Sequence, residues 1–556
     1  QVTMSLARSR GASGGQVVVP TVVEGLLIAV PGAVVAVVIA VALIPGGLLT
    51  PTLAGVAIVV AIAVSVVTST VVSIVRSRGP GKRDGDRVVG RVGARRLMLE
   101  GLIVAGAIGA ALLLRQRGLS AVSSAGSVGG FDPLIAAVPV LVGIAAGIIV
   151  VRLYPFALRA VAAVARRGRG LVLVLAARRA TEGGTSSAVL LVLLATATVA
   201  AFAATSLESL DRSADAAAWQ AVGGSYRLQA PNGALPADLD ATALPGVTEA
   251  AGVFEGTIPI GQAGPQTLFA LADAGPMAAA LAGTPADPTF PDGFTTPGAG
   301  PIPAIVSTSL AETPRGVKLG DVFSSSIEGY NLAYRVVDVR DGFAGLPRGR
   351  SWVVAPREWF KAQAPASRIV PVWMMVNAPS TSPDSLRAAV TAMSPTVATT
   401  SQSEQAEALR TSPVTQAVRS LILAAALVTA IYAALGVAAA LALSGIARAV
   451  EVARLRTLGL TGRQAIGLAV AEHGPTTLTG FIVGGLLGVA LFQLLRSALG
   501  LGGLVGSPVD VPVVLQAGPL LLIFAAMIAV VAAGLALGAA FQRRVAPAAA
   551  LRGRFE

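Results

Sequence analysis

The chain has 556 residues, 54% hydrophobic and 13% charged, with mean hydropathy +0.75 and net charge +13. Soluble domains are about 45–50% apolar and about 25% charged, so the apolar surplus does not fit inside a water-soluble core. Cysteine is absent and His473 is the single histidine, which excludes disulfides and thiolate chemistry and leaves little room for histidine-based metal sites or catalysis.

The charge is unevenly placed. Leu207–Thr415 holds 19 acidic and 13 basic residues, a net of −6, so the remainder carries +19. The basic residues of that remainder lie in short segments between apolar runs. This is a pattern of membrane topology and not of nucleic-acid binding.

A bilayer core of about 30 Å takes roughly 20 helical residues. Eight runs qualify in chain order: Thr21–Ile44, Leu53–Val75, Leu97–Leu114, Pro133–Val151, Ser187–Ser206, Ser420–Ser444, Pro475–Leu495 and Pro519–Phe541. Eight basic residues lie between Arg76 and Arg96, seven between Arg152 and Arg179, four between Arg448 and Arg463 and four between Arg543 and Arg554. If the spans alternate, all four clusters fall on one side, and excess Lys and Arg marks the cytoplasmic side. Arg115 and Arg117 fall on the other side and are outvoted across the same span. Both chain ends are therefore expected in the cytoplasm and the large insert outside. The fold class expected is a polytopic α-helical membrane protein of about eight transmembrane helices with one α+β extracytoplasmic domain.

The insert, Leu207–Thr415, is rich in Pro, Asp, Thr and Ser. Short β-type runs are Ala304–Ser307, Leu332–Val339, Trp352–Ala355 and Ile369–Val376, and Pro285–Pro303 reads as a loop. Ser382-Pro383-Asp384 reads as a helix start: a cap, a proline in the first turn and an acid near the positive helix end. Asp338 and Asp341 beside Arg335 and Arg340 read as a solvated face, and no compact catalytic set appears among the acids.

An internal repeat joins the two ends of the chain. Gly11–Glu24 and Gly459–Glu472 align without a gap, matching Gly11 with Gly459, Gln16 with Gln464 and Glu24 with Glu472, while Arg8 falls opposite Arg456. Each copy precedes an apolar span, and duplicated apolar modules are common in transporters. In the second copy Ile446–Leu458 has helical periodicity, with Arg448, Glu451 and Arg454 spaced by three. Val452 and Leu455 form an apolar edge, Gly459 is a helix stop, and Thr461 is a cap for the helix entering the next span. The result is an amphipathic helix-turn-helix at the cytoplasmic surface. It either docks a cytoplasmic partner or only anchors the bundle at the interface.

The segment EVARLRTLGLTGRQAIGLAVAEHGP resembles the region between the last three helices of FtsX-like and MacB-like ABC permeases. The matching positions are Glu451, Arg454, Leu455, Arg456, Leu458, Gly459, Thr461, Gly462 and Glu472, and the end, Pro547 to Arg552, is similar to that family's end. LARSRGASGGQ near the start is similar to the same region of a first module.

The resemblance implies an organisation. Residues 1–75 are the C-terminal part of a first module, 76–96 a basic cytoplasmic loop and 97–153 an extra pair of spans. Residues 154–186 are a basic amphipathic cytoplasmic segment, 187–206 the first span of the second module, 207–415 its outer domain and 416–556 three spans with the coupling helix. A complete double-module member would carry a further span, outer domain and span before Gln1, so the chain is expected to be a fragment.

The function implied is the permease subunit of an ABC transporter in a bacterial cell membrane, driven by a cytoplasmic ATPase dimer and exporting a lipid, lipoprotein or peptide. Coupling would pass through Glu451, Arg454, Leu455, Arg456, Leu458, Gly459, Gln464 and Glu472, with Arg8, Gly11, Gln16 and Glu24 as a second copy. That second copy has no obvious counterpart to Glu451. The alternative is a scaffold that moves no substrate and activates an extracellular partner such as a cell-wall hydrolase. No phosphate-binding loop occurs, since Gly81-Lys82 runs into Arg83, so ATP and magnesium belong to the partner and no cofactor or metal is expected in this chain. Further partners expected are the bilayer, a second permease or the first module, and an extracytoplasmic substrate or binding protein, but no nucleic acid.

Gly480, Gly484 and Gly488 recur every four residues, as do Gly534 and Gly538, a spacing that lets helices approach within the bundle or against a second permease. Glu24, Glu100 and Glu472 sit near span ends and not at mid-membrane, which argues against a proton- or sodium-coupled carrier. His473 beside Glu472 reads as an interfacial residue.

Overall fold

The computed structural model describes residues 94–117, 141–150, 152–153, 185–457 apart from 232, 261–265, 315 and 348, then 462–499 and 517–544, with a few single positions before residue 56. The runs Thr21–Ile44 and Leu53–Val75 lie almost wholly outside these residues. The chain divides into two compact units. One holds Gln1–Leu207, Gln416–Leu499 and Val514–Glu556, the other Glu208–Thr415 and Gly500–Val513.

The first unit is helical. Its elements are α1 (Ala94–Arg117), α2 (Leu141–Val150) and the first part of α3 (Thr185–Val222). They are followed by α8 (Pro413–Thr457), α9 (Gly462–Leu499) and α10 (Ala517–Arg544). Val189, Leu193 and Ala197 of α3 share a core with Val437 of α8, Phe481 of α9 and Met527 and Val531 of α10. Val150 of α2 joins through Leu190 and Leu194 of α3 and Val483 of α9. Arg152, just past α2, bonds Glu100 of α1 through Nε at 2.5 Å, which sets the start of one helix level with the end of the other.

Among the described residues three helices are long and apolar enough to cross a membrane: Val189–Val222, Pro413–Ala440 and Gly474–Leu495. Glu100–Ala110, Leu141–Val150 and Leu521–Ala536 are shorter apolar stretches. α8 leaves Leu427, Ile431 and Leu435 more than half exposed. Such a continuous apolar face suits hydrocarbon and not water.

One expected boundary moves. The amphipathic stretch Ile446–Leu458 is not a separate helix, because α8 runs unbroken from Pro413 to Thr457. Only Gly445 interrupts good helix formers there, and one glycine costs about 1 kcal/mol, too little to stop so long a helix. The helix expected to enter the next span does so: α9 starts at Gly462 and runs through Pro475 into the apolar stretch Gly474–Leu495. Proline removes one backbone bond, and spanning helices tolerate that loss.

The second unit is built on one nine-stranded sheet of order β5-β6-β4-β7-β3-β2-β8-β1-β9. The strands are β1 (Tyr226–Gln229), β2 (Glu249–Pro259), β3 (Gln266–Ala272), β4 (Ile302–Ser307) and β5 (Val322–Ile327). The others are β6 (Tyr330–Arg340), β7 (Trp352–Pro356), β8 (Trp373–Asn377) and β9 (Ala398–Ser401). The pairs β3–β7 and β4–β6 are parallel and the rest antiparallel.

β4 and β7 are buried at every position. Phe269 and Leu271 of β3 enter one core with Val353, Tyr334 and Phe360. Ala270 and Ala272 enter the opposite core with Val354, Trp352, Trp373 and Met277 of α4 (Ala274–Leu281). A third cluster joins Tyr226 and Leu228 to Leu386 and Val390 of α6 (Pro383–Met393). Further helices of the unit are α5 (Arg357–Gln363) and α7 (Gln402–Arg410), with single turns at Ala241–Ala243 and Thr308–Ala311.

Ser382 caps α6 with its hydroxyl accepting from the Ser385 N–H, Pro383 opens the first turn, and Asp384 follows, as the motif requires. The run Ile369–Val376 forms a strand only from Trp373, because Pro371 has no N–H to give to a ladder. Arg340 does not sit on a solvated face. It bonds Asp338 at 2.6 Å and donates to the carbonyls of Pro288 and Thr289, tying the proline-rich loop to β6. Arg335 and Asp341 are exposed.

Candidate functional site

Glu451, Arg454, Leu455 and Arg456 lie on the last two turns of α8, and Gln464 and Glu472 on the first part of α9. Leu458, Gly459 and Thr461 fall outside the described residues, as do Arg8, Gly11, Gln16 and Glu24 of the other copy. What the backbone does show is two long helices separated by four residues, 458–461.

The glycine stripe of α9 faces α3. A β-carbon on Gly480 would lie 3.0 Å from Leu193 Cβ, and one on Gly484 would lie 2.6 Å from the Leu194 carbonyl oxygen and 2.7 Å from Ala197 Cβ. On Gly488 it would meet the Thr198 carbonyl and lie 2.7 Å from Ala201 Cβ. Just beyond, Phe202 and Phe492 meet edge to face at 6.1 Å. The stripe is thus used inside the bundle, where small residues let backbones approach. Gly534 is buried within α10, and Gly538 lies one turn further along that helix.

In the sheet domain a second group of residues is brought together that no motif announces. The last part of α3 runs past the expected end of its span at Ser206. An Arg212–Glu208 pair at 2.7 Å spaced by one turn supports it, and Leu210, Ala214 and Ala218 are buried along one side. Gly223 stops the helix with φ +80° and returns its N–H to the Trp219 carbonyl at 2.8 Å. The next orphan carbonyl, on Gln220, accepts from the Gly345 N–H at 2.7 Å.

Arg227, on β1, reaches this helix end. Its Nη1 donates to the Gly345 carbonyl at 2.8 Å, its Nε donates to Gln229 Oε1 at 3.2 Å, and its guanidinium carbon lies 4.1 Å from the centre of the Trp373 ring. The Trp373 indole N–H donates to Glu255 Oε1 on β2. Arg227 Nη2 and Glu255 Oε1 stand 3.9 Å apart, with side chains 15% and 23% exposed. Burial lowers the Arg227 pKa, and the Glu255 charge opposes that shift. Gly345, at φ +79°, has no room for a side chain because a β-carbon there would run into Trp373. The partners come from positions as distant as Arg227 and Trp373, which is why spacing did not reveal them.

Residues 423–547 match the family model described as the FtsX-like permease C-terminal domain. No curated protein matches the chain. The matched stretch begins in α8 and takes in α9 and α10, so it contains the junction from Glu451 to Glu472 and all five glycines. That stretch is therefore similar to the C-terminal domain of the FtsX-like permeases, a family of membrane transport components.

Proposed function

We propose that the chain is the transmembrane subunit of an ABC transporter with about eight spans, both ends in the cytoplasm and the sheet domain on the far side of a bacterial cell membrane. A separate ATPase dimer, which holds ATP and magnesium, grips the α8–α9 junction and drives export of a lipid, lipoprotein or peptide. FtsX-like permeases generally partner with cytoplasmic ABC ATPases. The observation that carries the reading is that the family match contains that junction, with α8 and α9 leaving it in both directions.

Leu455 is the residue to test. An apolar side chain near the end of α8 gives a docking surface a group to bury, and burying a leucine contributes about 1.5–3 kcal/mol. Leu455→Asp is expected to abolish substrate-stimulated ATPase activity of the co-purified complex while membrane insertion persists. Undiminished stimulation in that variant, or a purified complex that holds no phosphate-loop ATPase, sinks the proposal. ATP-dependent movement of a candidate substrate into vesicles separates an exporter from a scaffold that moves nothing.

A further inference from the structure

The sheet domain holds a cleft of about 500 Å³ between the end of α3, the loop after β6 and the β1–β9 end of the sheet. That volume lies within the roughly 300–1,000 Å³ of ordinary ligand pockets. Its polar lining is Gln220, Gln229, Thr400, Gln405, Arg227 and Glu255. Among the described residues the one positive and the one negative side chain balance. The carboxamides still offer the Gln229 NH2 and both groups of Gln405, while the Gln220 NH2 is given to the Phe343 carbonyl and the Gln229 oxygen accepts from Arg227.

The two charges stand near each other without closing. A charge-assisted N–H···O bond is about 2.7–2.9 Å long, whereas Arg227 Nη2 and Glu255 Oε1 remain 3.9 Å apart. Each is held by something else. Gly345, Gln229 and the Trp373 ring fix Arg227, and the Trp373 indole N–H fixes Glu255. Among the described residues neither Arg227 Nη2 nor Glu255 Oε2 makes a hydrogen bond. The cleft therefore presents a rigid donor beside a rigid acceptor, with both bonding positions open.

This arrangement sorts ligands by chemistry. An anion drawn to Arg227 meets the Glu255 carboxylate, and a cation drawn to Glu255 meets the guanidinium. An acyl chain would strip water from six polar side chains and replace none of their hydrogen bonds, which is costly. A group carrying a C=O and an N–H side by side satisfies both charges at once and pairs equally well with the carboxamides. We propose that the cleft binds a short extended peptide segment through its backbone, Arg227 donating to a peptide carbonyl and Glu255 accepting from a peptide N–H.

The inference goes beyond the transport reading and does not need it, since binding is read on the chain without an ATPase. Failure here leaves the Leu455 experiment untouched. The test uses the full chain in lipid nanodiscs, titrated calorimetrically with acetyl-tetraalanine amide, with the same peptide N-methylated at every amide, with inorganic phosphate and with maltose. Saturable binding is expected for the unmethylated peptide alone, with N-methylation weakening it at least about tenfold. Glu255→Gln is expected to weaken it by a similar factor. Gln405→Leu, a change on the partly exposed α7 that leaves the cores intact, is expected to weaken it by a few fold. The proposal is overturned if the peptide does not bind saturably up to millimolar concentration, if phosphate or maltose binds as well as the peptide, or if Glu255→Gln and Gln405→Leu both bind it as the parent chain does.

Discussion

Gly484 faces Ala197 across the α9–α3 contact so closely that a β-carbon on the glycine would lie 2.7 Å from the alanine's. No real pair of methyl groups sits at that distance, so any side chain at Gly484 pushes the helices apart. The Leu194 carbonyl at 2.6 Å makes the obstacle backbone, which cannot rotate away.

Gly484→Ala and Gly488→Ala are each expected to destabilise the bundle by about 1–3 kcal/mol, the usual cost of overpacking a tight contact. Gly485→Ala is the control, because nothing lies within 4 Å of its would-be β-carbon. It should leave the thermal unfolding midpoint in detergent unchanged or slightly raised, since alanine is the better helix former. Equal midpoint losses in all three variants would mean that glycine acts there through flexibility and not through close approach.

Gly345 makes a sharper case. Alanine there has to adopt φ +79° and also collide with the Trp373 ring on which Arg227 is stacked. The left-handed backbone costs about 1–2 kcal/mol and the collision about 1–3 kcal/mol. Gly349→Ala pays only the first, since its φ is +71° and nothing lies within 4 Å. Denaturant midpoints of the sheet domain, read by tryptophan emission, should fall clearly further for Gly345→Ala than for Gly349→Ala.

How much of this was legible before the structure depends on which force shapes each element. β5 alternates exposed and buried positions, but Val-Phe-Ser-Ser-Ser-Ile is too polar in its middle to stand out as a strand. β2 and β3, with Glu-Ala-Ala-Gly and Leu-Phe-Ala-Leu-Ala, lack β-branched runs and read more like helix. They become strands because Phe269 and Ala270 are claimed by cores on opposite faces of the sheet. The α6 start was legible because capping is local: Ser382, Pro383 and Asp384 need only one another and the first turn. The glycine stripe could be read as a packing face, but not which helix it met. The Arg227–Trp373–Glu255 group left no trace, being assembled entirely by β1–β8 and β2–β8 pairing.

Acid should loosen specific turns of the sheet domain before its cores. Asp240 accepts from the Thr242 hydroxyl and N–H, and Asp287 accepts from the N–H groups of Thr289 and Gly283, and these bonds hold both carboxyls below the ordinary range. A folded-state pKa below the unfolded value of about 3.9 means that the stabilisation is fully present above that value and is lost as pH falls through the lower, folded one. The domain's melting midpoint should therefore be flat from pH 7 to about 5 and decline below about 4. Asp240→Asn and Asp287→Asn keep the shape and remove the titration, so each should reduce the drop between pH 5 and 3. An unchanged drop in the double variant would place the acid sensitivity elsewhere.

Tyr334 gives the opposite sign from the usual core mutation. Its ring is fully buried, edge-on to Phe269 at 5.3 Å and stacked with Phe323 at 5.5 Å. Its hydroxyl has no hydrogen-bond partner among the described residues, and burial pushes its pKa up. An unmade bond at a buried hydroxyl costs about 1–3 kcal/mol, while the ring contacts do not depend on the oxygen. Tyr334→Phe removes the cost and keeps the packing, so it should raise stability by about 1 kcal/mol and the melting midpoint by roughly 2–4 °C for a domain of this size. Tyr334→Leu, which loses both ring contacts, should lower it. A destabilised phenylalanine variant would show that the hydroxyl is bonded after all, and the core would then have to be redrawn around that bond.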